Sequence, residues 1–455
     1  MFHMKIYNTL TKKIQEFKPI KNKKVNLFVC GPTVYDYAHI GNAKTYTQFD
    51  FIIKYLRYRG YDVFYLQNIT DIDDKIIEKA QDKKVPCEEI ANKYTKIYLE
   101  DMKSLGNTAV SKYARATDYL DQIVSQVKRL KEKGFTYTTS DGIYYEIEKF
   151  KDYGKLSGRT ELKETDGVSR IDSSSEKKGW NDFCLWKFSK PGEPSWETEI
   201  GKGRPGWHIE DTAITESHFG PQYDVHGGAV DLIFPHHEAE ISQMEALSGK
   251  SPLVRYWLHT GFLKMSQAKM SKSLGNFLTI RKILEKYNTR VVRFFYLSSH
   301  YRSSLEFNEE TMTQAKNSLQ RIDEFIFKIK PDLELADEKK AVDQLKKDLL
   351  KNLDHDFNTP KAISLIFDFI KERNLKGVSG QFAWDFFKEI NEFFGFFEFH
   401  HDQDDQEIDK LVKQREAYRK NEQYQKADEI KKMLLAKGIK IYDSPTGTKW
   451  RKVKK

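Results

Sequence analysis

Three cysteines in 455 residues, Cys30, Cys87 and Cys184, are odd in number and far apart, which excludes a disulfide framework. No stretch approaches the ~18 uninterrupted apolar residues that a membrane span needs. The opening "MFHMKIYNTLTKK" lacks the apolar run of a secretory signal. No internal repeat recurs, and no nucleophile–base pair stands out. A cytoplasmic protein without a membrane anchor is the expectation. What is present, 39% hydrophobic and 31% charged residues, suits real cores in about three domains.

Charge is concentrated at one end. The whole chain carries +9, and residues 408–455, with 15 Lys/Arg against 6 Asp/Glu, account for all of it. The acidic "EFHHDQDDQE" (398–407) before it reads as a linker. A basic module on a near-neutral body fits a polyanion partner, or a solvated lysine-rich tail.

"VNLFVC" (25–30) predicts a buried strand that turns at Gly31-Pro32. Phe49, Ile52, Ile53 and Leu56 then predict an amphipathic helix ending at Gly60, and "DVFYLQNI" (62–69) a second strand. Strand, helix and strand make a parallel βαβ unit of the kind found in nucleotide-binding sheets. Residues 115–200, with "IDSSSEKKGW" and "SKPGEPSW", have the texture of an insertion, and 307–398 read as helical.

Three stretches carry chemistry. "HIGN" (39–42) falls at the first strand-to-helix turn, where backbone N–H groups and the helix dipole favour phosphate; plain helix capping is the alternative. "KMSKSLGN" (269–276) puts Lys269 and Lys272 where they can neutralise a departing pyrophosphate. "FPHHEAEI" (234–241) sets Pro235 in a first helical turn, with His236 and Glu240 one turn apart on one face, a spacing that can hold a metal. His237 and Glu238 would point to other faces, as supporting or surface groups. "GKGRPG" (201–206) matches G-x-G-x-x-G but follows no clear strand and contains Pro205, so it is no dinucleotide site.

"HIGN" and "KMSKS", in this order, resemble the two signature sequences of class I aminoacyl-tRNA synthetases. With "FVCGPTVYDYAHIGN", "NITDIDDKII", "GRPGWHIE", "FPHHEAEI", "DFNTP" and "SPTGTKWRK", the likeness is to the cysteinyl-tRNA synthetases and runs almost the length of the chain. It implies an α/β fold: a Rossmann-like parallel-sheet catalytic domain (1–114 and 201–306) with an inserted connective segment (115–200). A helical bundle domain (307–398), an acidic linker (399–407) and a basic anticodon-binding module (408–455) follow. It implies activation of L-cysteine with ATP, Mg²⁺ accompanying the nucleotide, and transfer to tRNA(Cys) by a monomer. Zinc would recognise the substrate thiol through Cys30, Asp211, His236 and Glu240. A soft metal distinguishes cysteine from serine as no cavity of fixed shape can.

The resemblance also places His39, Asn42, Lys269 and Lys272 at ATP, and Thr70, Trp207, His208 and His226 around the cysteine. Arg419, Asp428, Asp443 and Trp450 fall near the anticodon. Two departures stand out. Asp211 occupies the position of a usual second cysteine ligand, making the site harder; a three-ligand zinc beside an ordinary Asp211 is the alternative. Asn42 replaces a usual histidine, keeping a donor but no titratable ring. In "KMSQAKMSKS" only the second copy carries Lys272 and Leu-Gly-Asn, so the loop is assigned there. Rival readings are a cysteine ligase acting on a small amine, a zinc hydrolase, and a non-catalytic RNA-binding protein.

Overall fold

The computed structural model describes residues 3–160, 174–265, 278–399, 406–444 and 447–452. Two compact units emerge, Met1–Phe325 with Ile329–Phe397, and Ile326–Lys328 with Glu398–Lys455.

The larger unit is built on a five-stranded, all-parallel sheet. Its order is Val254–Thr260, Tyr223–Ala229, Lys24–Val29, Asp62–Ile69 and Lys112–Arg115. Lys24–Val29 is central, and Val25, Leu27, Phe28 and Val29 are all buried, as a strand covered on both faces requires. The crossover helix Ile40–Tyr58 buries the predicted stripe of Phe49, Ile52, Ile53 and Leu56 and stops before Gly60, which has φ +83°. It lies so close to the sheet that a Cβ on Gly227 would come within 2.3 Å of the Phe49 ring. Of the two glycines of "DVHGG", Gly227 therefore serves helix–sheet packing, while a Cβ on Gly228 would meet His237 at 2.8 Å.

Between the sheet strands Lys112–Arg115 and Tyr223–Ala229 the chain forms the helix Leu120–Glu132 and a second, antiparallel sheet. That sheet runs Thr136–Thr138, Gly142–Tyr145, Phe183–Phe188 and Gly203–Pro205. "GKGRPG" is thus spent on an edge strand, where Pro205 is tolerated. Helices Glu309–Lys328, Ala336–Leu353, Thr359–Lys376 and Gln381–Phe394 follow, as the periodicity predicts.

The smaller unit pairs helices Gln406–Lys420 and Tyr424–Ala436 over buried Ile408, Val412, Ile430, Leu434 and Ile439. Met433 is 40% exposed, because Leu434 one position on takes the inward face. An antiparallel hairpin, Ile439–Ser444 with Gly447–Lys452, closes the unit and is absent from the sequence reading.

Candidate active site and metal centre

A cavity of about 210 Å³ opens beyond the carboxyl end of the central strand. Cys30, His39, Asn42, Thr70, Trp207, Asp211 and His236 all line it. Such a crevice is where open parallel sheets bind ligands.

Cys30 follows the strand Lys24–Val29, and Asp211 lies in the first turn of the helix Ile209–Phe219. His236 Nε2 is 3.0 Å from Asp211 Oδ2 and 3.3 Å from Glu240 Oε1, and Cys30 Sγ is 3.9 Å from Glu240 Oε1. Donor atoms of the four lie within 4.8 Å of one another, all buried. The i, i+4 contact is as expected, but its helix is not. Phe234 is extended (φ −134°, ψ 130°), Ile233–His237 forms a wide turn, and the α-helix proper is Glu238–Ser248. A residue before proline is sterically kept out of the α region, which accounts for the extended Phe234.

His237 and Glu238 are not at the surface; both are fully buried. His237 Nε2 lies 3.1 Å from Cys30 Sγ, and its Nδ1 meets His259 Nε2 at 2.8 Å. His226 Nε2 lies 3.2 Å from the same sulfur, with Tyr223 Oη 2.6 Å from its Nδ1. His226 is wholly buried behind Cys30, not on the cavity wall with Trp207. With Glu240 and Cys30 these two imidazoles form a second group of closely spaced donors. Glu238 turns away, accepting from the backbone N–H groups of Gly154, Leu156 and Ser157 at 3.0, 2.6 and 2.6 Å.

The electrostatics call for a cation. Burial, then the Asp211 and Glu240 carboxylates, push the Cys30 thiol well up. Burial and Asp211 push Glu240 up as well. Burial holds His208, His226 and His237 well below the ordinary imidazole value. Among the described residues Glu240 Oε2 is buried with no hydrogen-bond partner. Acids crowded in a dry site cannot all ionise unless a cation compensates them. A thiol, an imidazole and two carboxylates are competent zinc donors, so the residues fit a divalent metal.

Trp207 stacks on His236, ring centroids 4.4 Å apart and 13° from parallel. Thr70 donates to Glu210 Oε2 at 2.8 Å; burial, then Asp211, keep the Glu210 carboxyl well above its usual value. His39 caps the helix: its Nδ1 accepts from the N–H groups of Gly41 and Asn42 at 3.0 and 3.2 Å, and Asn42 Oδ1 accepts from His39 N–H at 3.3 Å. Lys269 and Lys272 lie outside the described residues. The chain that follows them is tied to "HIGN", with Ile40 N–H donating to Leu278 O and Ile280 N–H to Ala38 O, both at 3.1 Å.

In the smaller unit three of the four expected contact residues are engaged internally. Asp443 binds Arg415 at 2.7 and 2.9 Å and Arg419 at 2.5 Å; these arginines hold its carboxyl far below the usual range. Trp450 Nε1 donates to Asp409 at 2.6 Å, while Asp428 is exposed. Sequence reasoning missed Glu210 and overlooked His237 as a near neighbour of Cys30. The His-His doublet was the available signal for the second; none marked the first.

The parallel sheet with this cavity at its carboxyl edge is a nucleotide-binding arrangement, and the family match assigns it to the class I aminoacyl-tRNA synthetases. Residues 16–317 match the family described as tRNA synthetases class I (C) catalytic domain, and 350–398 match the DALR domain. Among solved structures, a Mycobacterium tuberculosis methionyl-tRNA synthetase in complex with methionyl-adenylate shares the fold at TM-score 0.59 and 15% identity. That match covers 81% of this chain and 88% of that one. The cysteine–tRNA ligases of Thermococcus gammatolerans and Thermococcus onnurineus are 43% and 44% identical to this chain, each over 99% of both sequences. The chain belongs to the cysteine–tRNA ligase family. Among the described residues no helix is long and apolar enough to cross a membrane.

Proposed function

We propose that the protein activates L-cysteine with ATP, giving cysteinyl-adenylate and pyrophosphate, and passes the cysteinyl group to the terminal adenosine of tRNA(Cys). The observation that carries this is one cavity lined both by metal donors Cys30, Asp211 and His236 and by the helix start His39–Asn42. Glu240 completes the donor set from behind.

Zinc held by Cys30, Asp211, His236 and Glu240 would supply a sulfur-seeking centre for the substrate thiol. Trp207, stacked on His236, walls the side chain, and Thr70, oriented by Glu210, faces the amino acid. His39 and Asn42 present the helix N-terminus to the α-phosphate, whose charge the dipole favours. Lys269 and Lys272 neutralise the departing pyrophosphate, with Mg²⁺ accompanying ATP. Asn42 suffices where histidine is usual because the step needs charge stabilisation, not a proton carrier. Positioning and electrostatics supply the catalysis.

On this reading residues 1–114 and 201–306 are the catalytic domain, 115–200 its connective insertion, 307–398 the bundle and 408–455 the anticodon module of a cytoplasmic monomer. Arg419 and Asp428 offer polar groups to unpaired bases, and Asp443 and Trp450 shape that surface. The test is ATP–pyrophosphate exchange with cysteine and with serine, before and after chelation. Cysteine-only exchange, lost on chelation and restored by zinc, is expected; exchange with neither amino acid would sink the reading. Transfer of cysteine to tRNA, and not to a small amine, distinguishes it from the ligase alternative.

A further inference from the structure

Lys44 stands five residues past His39 on the first helix and is only 1% exposed. Its ammonium donates to Gly261 O at 2.7 Å, Gln48 Oε1 at 3.1 Å and Tyr301 O at 3.4 Å. Three hydrogens thus have three acceptors, and none of the three is a carboxylate. Burial alone lowers this ammonium to about 7. A methionine of similar length would avoid that desolvation cost, so the cation is retained for what it holds.

It holds a corner. Gly261 connects the sheet strand Val254–Thr260 to the short strand Leu263–Met265. A Cβ there would lie 2.4 Å from the Ser303 carbonyl, so the backbone is packed too tightly to shift freely. Gly261 N–H also donates to Tyr301 O at 2.8 Å, which ties the third Lys44 acceptor to the same corner. The next residue repeats the link, with Thr45 Oγ1 2.8 Å from Thr260 Oγ1. His39 caps the same helix five residues earlier, and Asn42 lies on it two residues earlier.

We propose that Lys44 is a positioning residue: it fixes the helix start bearing His39 and Asn42 against the Thr260–Gly261 corner and so aligns the phosphate side of the cavity. The thiol side, built from Cys30, Asp211, His236 and Glu240, does not depend on it. This rests on the adenylate-forming reading above.

The test compares K44M, K44R and K44Q with the unaltered protein in ATP–pyrophosphate exchange, bound-metal content and amide hydrogen exchange. K44M is expected to lose on the order of tenfold in kcat and to raise KM for ATP, because small misplacements of positioning groups are costly. KM for cysteine and metal content stay within about twofold, the split that separates positioning from general damage. K44R, which keeps the charge and donors, recovers most of the loss. Amides of residues 260–265 exchange faster in K44M and not in K44R. If K44M fails to fold, K44Q makes the same comparison with N–H donors kept on a shorter side chain and the charge removed. An unchanged kcat, or equal losses toward cysteine and ATP together with loss of metal, overturns the proposal. Absence of cysteine-dependent exchange in the unaltered protein overturns the functional reading instead.

Discussion

At the scale of single residues, Asp211 carries the most chemical weight. It faces His236 at 3.0 Å and helps to push both the Cys30 thiol and Glu240 toward their neutral forms. As a ligand it contributes charge without sulfur, so the proposed site is harder than one with two thiolates. D211A is expected to lower zinc affinity by roughly ten- to a hundredfold, the scale of a disturbed metal environment, measured by competition with a chromophoric chelator. D211C is expected to hold zinc at least as tightly as the natural protein and to discriminate more strongly against manganese. Unchanged affinity in D211A would mean a three-ligand site. His259 gives a pH prediction. Burial lowers its imidazole to about 3, against about 6.5 in an unfolded chain. Between those values the unfolded state binds the extra proton and the folded state does not. His259 therefore stabilises nothing in acid: stability falls as pH drops below about 6.5, by up to about 1.4 kcal/mol per pH unit from this residue. H259Q is expected to flatten the denaturant midpoint against pH between about 6 and 4. The slope should persist unchanged only if His259 is accessible to protons in the folded protein.

At the scale of elements, the helix Glu238–Ser248 does two jobs from residues two positions apart. Glu240 faces the donor cluster, while Glu238 grips three backbone N–H groups of residues 154–157, in the insertion. Glu238 is thus a buried latch between this helix and the insertion. E238A leaves three buried N–H donors without their acceptor, and a cost of about 2–5 kcal/mol is expected in denaturant unfolding. Faster amide exchange at 154–157, with metal affinity little altered, would locate the loss in the latch. Elements of this kind were legible only in part. Lys24–Val29, Ile40–Tyr58 and Asp62–Ile69 could be read because each has an unbroken apolar run or a 3.6-residue stripe. The break at Phe234 could not be read from the i, i+4 spacing alone, although the proline rule contained it. The hairpin Ile439–Lys452 was obscured because only Ile439 of its inward positions is fully buried, with Ile441 and Trp450 half-covered. The donors could be named because they are chemically distinctive. The Cys30–His237 contact depends on tertiary approach across 207 residues, which no local pattern records.

At the scale of the whole molecule, charge and chemistry are separated. Every residue lining the cavity belongs to the larger unit, whereas residues 408–455 carry a net charge equal to that of the entire chain, +9. The smaller unit has its own core and its own ionic clamp, Arg415–Asp443–Arg419, so its fold does not draw on the catalytic residues. On the proposed function a division of labour follows: adenylate formation needs only the cavity, while charging of tRNA also needs the tethered basic unit to hold a polyanion. Removing residues 399–455 is expected to leave cysteine-dependent pyrophosphate exchange within about threefold of normal, since no transition-state contact is lost. Charging of tRNA should fall by roughly a hundredfold or more, the scale of lost effective concentration when one of two linked contacts is removed. Salt provides an independent readout. Phosphate neutralisation by lysines releases counterions, so tRNA affinity of the full chain should fall steeply between about 50 and 200 mM salt, and that slope should shrink in the truncated protein. Pyrophosphate exchange, which involves no polynucleotide, should not acquire the same dependence. Loss of exchange on truncation with the metal still bound would show instead that the smaller unit supports the cavity, and the charge at the end of the chain would then need another explanation.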